Sequence, residues 1–112
     1  MHELSLVAEL VEACERRASG RPVGAVRVRV AGTVPTDLVR QGFAMLTTGT
    51  ALEAASLEID QFDIRLRCSC GFDGALEHDD MLGPSMVICP QCDAIQRIVA
   101  APEIELLEVR SN

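Results

Sequence analysis

Residues 68–92 begin with Cys68-Ser69-Cys70 and end with Cys89-Pro90-Gln91-Cys92, so two close cysteine pairs frame one glycine-containing stretch. Eighteen residues separate Cys70 from Cys89, which matches the gap of about 15–20 residues between the two pairs of a zinc ribbon. Four thiolates can enclose one zinc ion in the closed tetrahedron of a structural site. The spacing therefore predicts zinc ligation by the four cysteines, with the metal stabilising a segment too short to fold alone.

The first pair leaves several alternatives open because it is C-x-C, with one intervening residue in place of the usual two. Either Cys68 and Cys70 both bind the metal, or only one does and His78 supplies the fourth ligand. If His78 is not a ligand, Glu77 to Asp80 form a solvated loop tip. Iron in a rubredoxin-like cage is a second alternative, since geometry alone does not separate it from zinc. A dithiol redox role is disfavoured because strand, not helix, is expected after Cys92.

Upstream of the cysteines, the apolar pattern predicts a helix followed by a strand. Apolar residues recur at helical spacing from Leu4 to Cys14, and Ser19-Gly20-Arg21-Pro22 ends that helix. Cys14 lies on the apolar stripe and is interpreted as a buried small hydrophobe. Residues 25–30 alternate Val with Arg, which indicates a strand with one buried face.

A second helix is predicted after the turn from Gly32 to Pro35. Thr36 and Asp37 are its N-cap candidates, and it is expected to end between Thr47 and Gly49. Its apolar stripe is expected to comprise Leu38, Phe43, Met45 and Leu46.

The remaining segments predict short strands around the cysteine module. Residues 55–60 and 64–67 form one interrupted strand or two short ones, and residues 95–99 and 104–109 form two more. A break of phase at Leu106-Leu107 predicts a β-bulge. The fold class is therefore α+β, with two helices packed on a small, mostly antiparallel sheet and an inserted zinc-ribbon-like module. Residues 1–66 and 100–112 are expected to form the α+β domain, and residues 67–99 the zinc-binding domain.

Composition excludes several classes of partner. The 112-residue chain has a net charge of −7 and only 3% aromatic residues, so it lacks the basic surface and stacking platforms of nucleic-acid-binding proteins. The same charge disfavours anionic membranes, and no apolar run is long enough to span a bilayer. The absence of a secretory signal predicts a cytoplasmic protein, where clustered cysteines more often bind metal than form disulfides.

The N-terminus carries a second set of metal ligands. The α-amine of Met1, a neighbouring peptide nitrogen and the imidazole of His2 can form fused chelate rings, and such a nitrogen-rich set suits Ni(II) or Cu(II). Met1-His2-Glu3-Leu4-Ser5 resembles the opening of the HypA/HybF hydrogenase maturation proteins. The strand at residues 24–30, the helix around Phe43, the strand leading into the cysteines and the C-terminal tail resemble that family in the same order.

The resemblance implies a nickel metallochaperone and not an enzyme. It implies that Ni(II), the transported cofactor, binds at Met1, His2 and Glu3, while structural Zn(II) binds Cys68, Cys70, Cys89 and Cys92. The implied partners are a hydrogenase maturation GTPase and the large subunit of [NiFe] hydrogenase, with urease as a second recipient, and a homodimer is left open. The chain contains no paired nucleophile and base and no phosphate-cradling glycine loop. Two rival functions remain, a zinc-ribbon interaction domain without metal transport and a rubredoxin-like electron carrier.

Overall fold

The computed structural model describes residues 2–83, 85–99 and 102–111, and its description of side chains begins at Leu4. The described chain forms two helices, seven strands and one short 3-10 turn. In chain order these are α1 (His2–Ala18), β1 (Val23–Ala31), α2 (Thr36–Thr47), β2 (Ser56–Phe62), β3 (Arg65–Arg67), β4 (Asp73–Ala75), the 3-10 turn (His78–Asp80), β5 (Met86–Ile88), β6 (Ile95–Arg97) and β7 (Ile104–Ser111).

The largest sheet has three strands in the order β2-β1-β7. Strand β2 runs parallel to β1, whereas β7 runs antiparallel to it. The α+β class with two helices and an inserted module is confirmed. The sheet itself is mixed, with one pair of each kind, because α2 crosses between β1 and β2 and returns the chain in the same direction.

The core lies between one face of this sheet and the two helices. Val26, Val28 and Val30 of β1 are fully buried, and the alternating arginines face outward, as the Val-Arg pattern predicted. Helix α1 covers this face with its apolar stripe, in which Cys14 is fully buried. Helices α1 and α2 approach closely at Gly42, where an added Cβ would lie 3.4 Å from Val7 Cγ1, in ordinary van der Waals contact.

Helix α2 buries a different stripe from the one expected. Leu38 and Met45 are 46% and 62% exposed, so the prediction that they join Phe43 and Leu46 on one face is wrong. The buried positions are Val39, Gly42, Phe43 and Thr47. These positions recur at the three- and four-residue spacing of one helix face, whereas Leu38 and Met45 lie on the side turned away from α1 and the sheet.

The N-terminus of α2 also differs from the prediction. The N-cap residue is Pro35, and no side chain caps the helix. Thr36 and Asp37 lie inside the first turn, where the Asp37 carboxylate still interacts favourably with the positive end of the helix dipole.

The predicted β-bulge is confirmed. Arg27 pairs with Glu108 and the next residue, Val28, pairs with Leu106, so Leu107 is left without a partner on β1. The extra residue keeps the inward-facing positions of β7 on the core side, on both sides of the phase break.

The inserted module consists of two hairpins, β3-β4 and β5-β6. It has its own small buried cluster, formed by Leu66, Leu76 and Val87 with Cys68 and Cys89. The segment that was expected to be one interrupted strand or two is therefore two strands, β2 and β3, which belong to different sheets. The predicted boundaries at residues 66/67 and 99/100 stay a prediction.

Candidate metal centre

The first cysteine pair occupies the turn between β3 and β4. The Cys68 amide donates to the carbonyl oxygen of Phe72 at 2.8 Å, and the Gly71 amide donates to the carbonyl of Cys68 at 3.0 Å. Gly71 has φ +107°, a backbone conformation that L side chains rarely adopt. This glycine allows the short C-x-C turn to close and brings both sulfur atoms to the same side.

The second pair occupies the turn between β5 and β6. The Cys89 amide donates to the carbonyl of Ala94, and the Asp93 amide donates back to the carbonyl of Cys89, each at 2.9 Å. Asp93 has φ +63°, in the left-handed region that Asp and Asn tolerate better than other non-glycine residues. The two hairpins thus present their cysteines from two facing tips.

The four sulfur atoms form one cluster. All four Sγ atoms lie within 4.8 Å of one another, and the pairs Cys68–Cys92 and Cys70–Cys89 are each 3.7 Å apart. An ion bound tetrahedrally at a zinc–sulfur distance of about 2.3 Å requires sulfur separations of about 3.8 Å. The donor set therefore fits a single four-coordinate ion, and both sulfurs of the C-x-C pair lie in the cluster.

His78 does not belong to this cluster. Its Nδ1 lies 2.8 Å from the carbonyl oxygen of Thr33, in the loop between β1 and α2. Because a carbonyl only accepts, the imidazole donates from Nδ1. The alternative in which His78 replaces a cysteine is thus wrong, and the residue instead connects the inserted module to the larger sheet domain.

The sulfur of Cys68 accepts hydrogen bonds from both a backbone amide and a side chain. The backbone amide of Cys70 donates to Cys68, which also accepts the Gln96 side-chain Nε2 at 2.8 Å. These donors stabilise a thiolate and lower the pKa of Cys68 to about 6. In the absence of metal, Cys68 therefore ionises before Cys70 and Cys92.

Cys70 and Cys92 hold their protons more firmly than Cys68. The backbone amide of Phe72 on its own lowers the pKa of Cys70, but desolvation and the neighbouring thiols outweigh it and raise that pKa to about 12. The backbone amide of Ala94 on its own lowers the pKa of Cys92, but partial desolvation and the sulfurs of Cys68 and Cys89 outweigh it, so that this pKa is also raised. A divalent ion must displace these protons, so metal binding at the cluster releases protons and strengthens as pH rises.

The chemistry available to the cluster is structural. Cys89 and Cys68 are 0% and 6% exposed, whereas Cys70 and Cys92 are exposed. Four sulfur ligands complete a tetrahedron and leave no coordination position for water or substrate. An ion bound here would join the two hairpin tips and would not activate a nucleophile.

The fifth cysteine has a different environment. Cys14 is fully buried in the α1 stripe, and desolvation raises its pKa to about 11. A neutral, enclosed thiol is a poor metal ligand at neutral pH. Its interpretation as a core residue is confirmed.

The predicted nickel ligands lie at the edge of the described chain. Met1 is outside the described residues, as are the side chains of His2 and Glu3. Helix α1 begins at His2, so the backbone amides of His2 and Glu3 belong to its first turn. The first four N–H groups of an α-helix have no partner within the helix.

The sequence reasoning missed one residue of the centre. Gln96 lies on β6 outside both cysteine pairs, and its contact with Cys68 spans 28 positions in the chain. Nothing in the local sequence marks it, because glutamine has no characteristic position in a zinc ribbon. Gln91, inside the second pair, instead donates to the backbone carbonyl of Cys70 at 3.3 Å.

None of the helices in the described part of the chain has the length and apolar character needed to cross a membrane.

Comparisons with known proteins agree with this arrangement. Residues 1–110 match the profile of a family described as hydrogenase/urease nickel incorporation, metallochaperone, hypA. The hydrogenase maturation factor HypA of Geobacter metallireducens is 35% identical, over 97% of this chain and 97% of its own length. The HypA protein of Roseiflexus sp. is 36% identical, over 95% of this chain and 88% of its own.

Solved structures show the same fold. The solution structure of the Ni metallochaperone HypA from Helicobacter pylori superposes with a TM-score of 0.60, at 21% identity over 97% of this chain and 96% of that one. A second solution structure of a HypA protein gives a TM-score of 0.59 at the same identity.

Proposed function

Because the chain belongs to the HypA family of nickel-incorporation metallochaperones, we propose that it binds Ni(II) at its N-terminus and delivers the ion during maturation of [NiFe] hydrogenase. The family match over residues 1–110 carries this proposal, since it includes both the N-terminal Met1-His2-Glu3 and the four-cysteine cluster. In this proposal the N-terminus binds the ion that is delivered, and the cysteine cluster binds an ion that stays in the protein.

We propose that nickel is bound by Met1, His2 and Glu3. The α-amine of Met1, the backbone amide nitrogen of His2 and its imidazole provide three nitrogen donors, and Glu3 adds its amide or carboxylate. The helix start at His2 supports this set, because an amide nitrogen in the first turn can bind a metal without breaking a helical hydrogen bond. Nitrogen-rich, near-planar coordination suits Ni(II), although Cu(II) is intrinsically favoured at such a site.

We propose that Cys68, Cys70, Cys89 and Cys92 bind Zn(II) permanently. Sulfur separations of 3.7 Å and the closed donor set support a structural ion. Iron has a similar bond length to sulfur, so the rubredoxin-like alternative is decided by the metal content and not by the geometry. If the purified protein shows the red absorption of Fe(III)-thiolate, the ion at the cluster is iron and not zinc.

The proposed partners follow from nickel delivery. They are a maturation GTPase and the immature large subunit of [NiFe] hydrogenase in the cytoplasm, with urease as a second recipient. The net charge of −7 supports docking to partners whose nickel-site rims are basic. In this proposal the chain acts as a carrier and not as an enzyme.

The test is a Ni(II) titration by calorimetry of protein with its native, untagged N-terminus. We expect one nickel site that is lost in His2→Ala and in a variant extended before Met1, while zinc content stays at one ion per chain. A His78→Ala variant is the matched histidine control, and it should keep its nickel affinity. Undiminished nickel binding by the extended variant would contradict the N-terminal site. If the protein with its native terminus binds no Ni(II), the chain is better described as a zinc-ribbon interaction domain.

A further inference from the structure

An open cleft lies between the two hairpins of the inserted module, on the side of β3 and β6. Its volume is about 430 Å³, and it is lined by residues 62–67 and 96–99. We refer to it as the arginine cleft, because Arg65, Arg67 and Arg97 all line it. Its volume falls in the range of about 300–1,000 Å³ that is typical of binding clefts.

Two strand edges in this module lack partners within the described residues. Strand β3 pairs only with β4, and strand β6 pairs only with β5. Leu76 donates to the carbonyl of Ile64, and Cys68 donates to the carbonyl of Phe72, so residues 64, 66 and 68 direct their backbone groups towards β4. Because these directions alternate along an antiparallel pair, the N–H and C=O groups of Arg65 and Arg67 point away from β4.

The same alternation applies to β6. Ile98 donates to the carbonyl of Ser85, and Cys89 donates to that of Ala94, so the even-numbered residues of β6 face β5. The backbone groups of Ile95 and Arg97 therefore point away from it. Open strand edges of this kind pair readily with an additional extended segment.

The cleft has more basic than acidic side chains on an otherwise acidic protein, since its lining contains three arginines and one carboxylate, that of Asp63. The arginines on the outer face of the large sheet are neutralised within the fold, as shown by the ion pairs Arg27–Asp60 and Arg29–Glu105. In the cleft, Arg65 and Arg67 share one carboxylate, that of Asp73, at 3.5 and 3.7 Å. Within residues 4–83, 85–99 and 102–111, no ion pair is found for Arg97.

Apolar side chains accompany these charges. Val99 lines the cleft and is 93% exposed, and Ile95 of the adjoining strand is 62% exposed. Val99 therefore offers an apolar side chain to a ligand that enters the cleft beside the arginines. The combination favours a ligand that is extended, acidic and partly apolar.

We propose that the arginine cleft binds an extended acidic segment of a partner protein by strand addition to β3. Carboxylates of the segment pair with Arg97, Arg65 and Arg67, its main chain pairs with the backbone of Arg65 and Arg67, and its apolar side chains cover Val99. This interaction is separate from nickel binding and does not depend on the N-terminus.

The test uses a fluorescein-labelled peptide of alternating Glu and Val, titrated against the zinc-loaded full chain by fluorescence anisotropy. We expect saturable binding with backbone NMR shifts at Arg65, Arg67 and Arg97. Arg97→Glu should weaken binding by about tenfold or more, whereas Arg21→Glu makes the same charge change at an exposed position elsewhere and should change it less than about twofold. Zinc content and the circular dichroism spectrum establish that both variants are folded.

Two further probes distinguish strand addition from general charge attraction. A Glu-Val peptide N-methylated at alternate amides loses its pairing donors and should bind at least about tenfold more weakly. A Lys-Val peptide should not bind. The proposal is overturned if the Glu-Val peptide fails to bind, if the N-methylated or Lys-Val peptide binds equally well, or if Arg21→Glu weakens binding as much as Arg97→Glu. Displacement of the peptide by a single-stranded oligonucleotide would point to nucleic acid instead, and a shift of the Arg97→Glu chain from dimer to monomer would identify a second copy as the occupant.

Discussion

Replacement of Gln96 by leucine should weaken zinc binding at the proposed cysteine site, although Gln96 is not one of the four proposed ligands. Gln96 extends from β6 of one hairpin to Cys68 on the other, and its Nε2 lies 2.8 Å from the sulfur. The proposed site concentrates four thiolates around one ion, and a hydrogen bond to one of those thiolates withdraws negative charge from it. Gln96→Leu keeps a similar volume but removes this donor, so the sulfur becomes more basic and the cluster less favourable.

The expected size of the effect follows from the number of donors at Cys68. Loss of an outer-shell hydrogen bond typically weakens metal affinity by about 10–100-fold. Cys68 keeps a second donor, the backbone amide of Cys70, so we expect the lower end of that range, about tenfold. Zinc should also be released at a higher pH, because a more basic sulfur competes better for protons.

Competition with a chromophoric chelator measures the zinc affinity, and cobalt substitution reports the sulfur electronics. The sulfur-to-cobalt charge-transfer band should move to longer wavelength in Gln96→Leu, since the sulfur lone pair is no longer stabilised by the donor. Gln91→Leu is the matched control, because Gln91 donates to the backbone carbonyl of Cys70 and not to a sulfur. Equal losses of affinity in the two variants with an unshifted cobalt band would refute the reasoning.

Four further outcomes are expected. In zinc-loaded protein, the free energy of unfolding should decline as pH rises from about 9 towards 11, and it should decline less steeply in Cys14→Ala. The reason is that the folded state favours the neutral thiol of Cys14, whose pKa is about 11. Urea unfolding at several pH values across this range measures both slopes. Chelation of zinc should abolish amide exchange protection at Val87, in the small cluster, but preserve it at Val28, in the main core; equal loss at both would contradict two separate cores. Gly42→Ala should be neutral or stabilising by up to about 1 kcal/mol, whereas Gly42→Leu should destabilise by about 1–3 kcal/mol in thermal unfolding, because a Cβ fits at 3.4 Å from the neighbouring helix but larger groups do not. His78→Ala should lower the free energy of unfolding by about 1 kcal/mol through loss of the bond to the carbonyl of Thr33, without a change in zinc stoichiometry.

Local patterns in the sequence were sufficient for much of the fold. The Val-Arg alternation predicted β1 with its buried face, because side chains on a strand alternate with period two whatever the strand packs against. The phase break at Leu106-Leu107 predicted the bulge for the same reason. The cysteine spacing predicted the cluster, since each pair is held within one short turn and the turns lie at hairpin tips.

The structure was required wherever the chain had more than one local solution. Helix α2 carries apolar residues on two sides, and it buries Val39 and Phe43 instead of Leu38 and Met45 because the close approach of α1 is at Gly42. The direction of β2 depended on the crossover through α2, which no strand pattern encodes.

The sequence by itself determined the elements whose signals lie within a few neighbouring residues: the helix and strand periods, the bulge and the two cysteine turns. Only the tertiary structure decided which face of α2 is buried, how β2 pairs, where His78 hydrogen-bonds and which side chain supports Cys68. These features depend on contacts between residues far apart in the chain, such as Gln96 with Cys68, and such contacts exist only after the elements have packed.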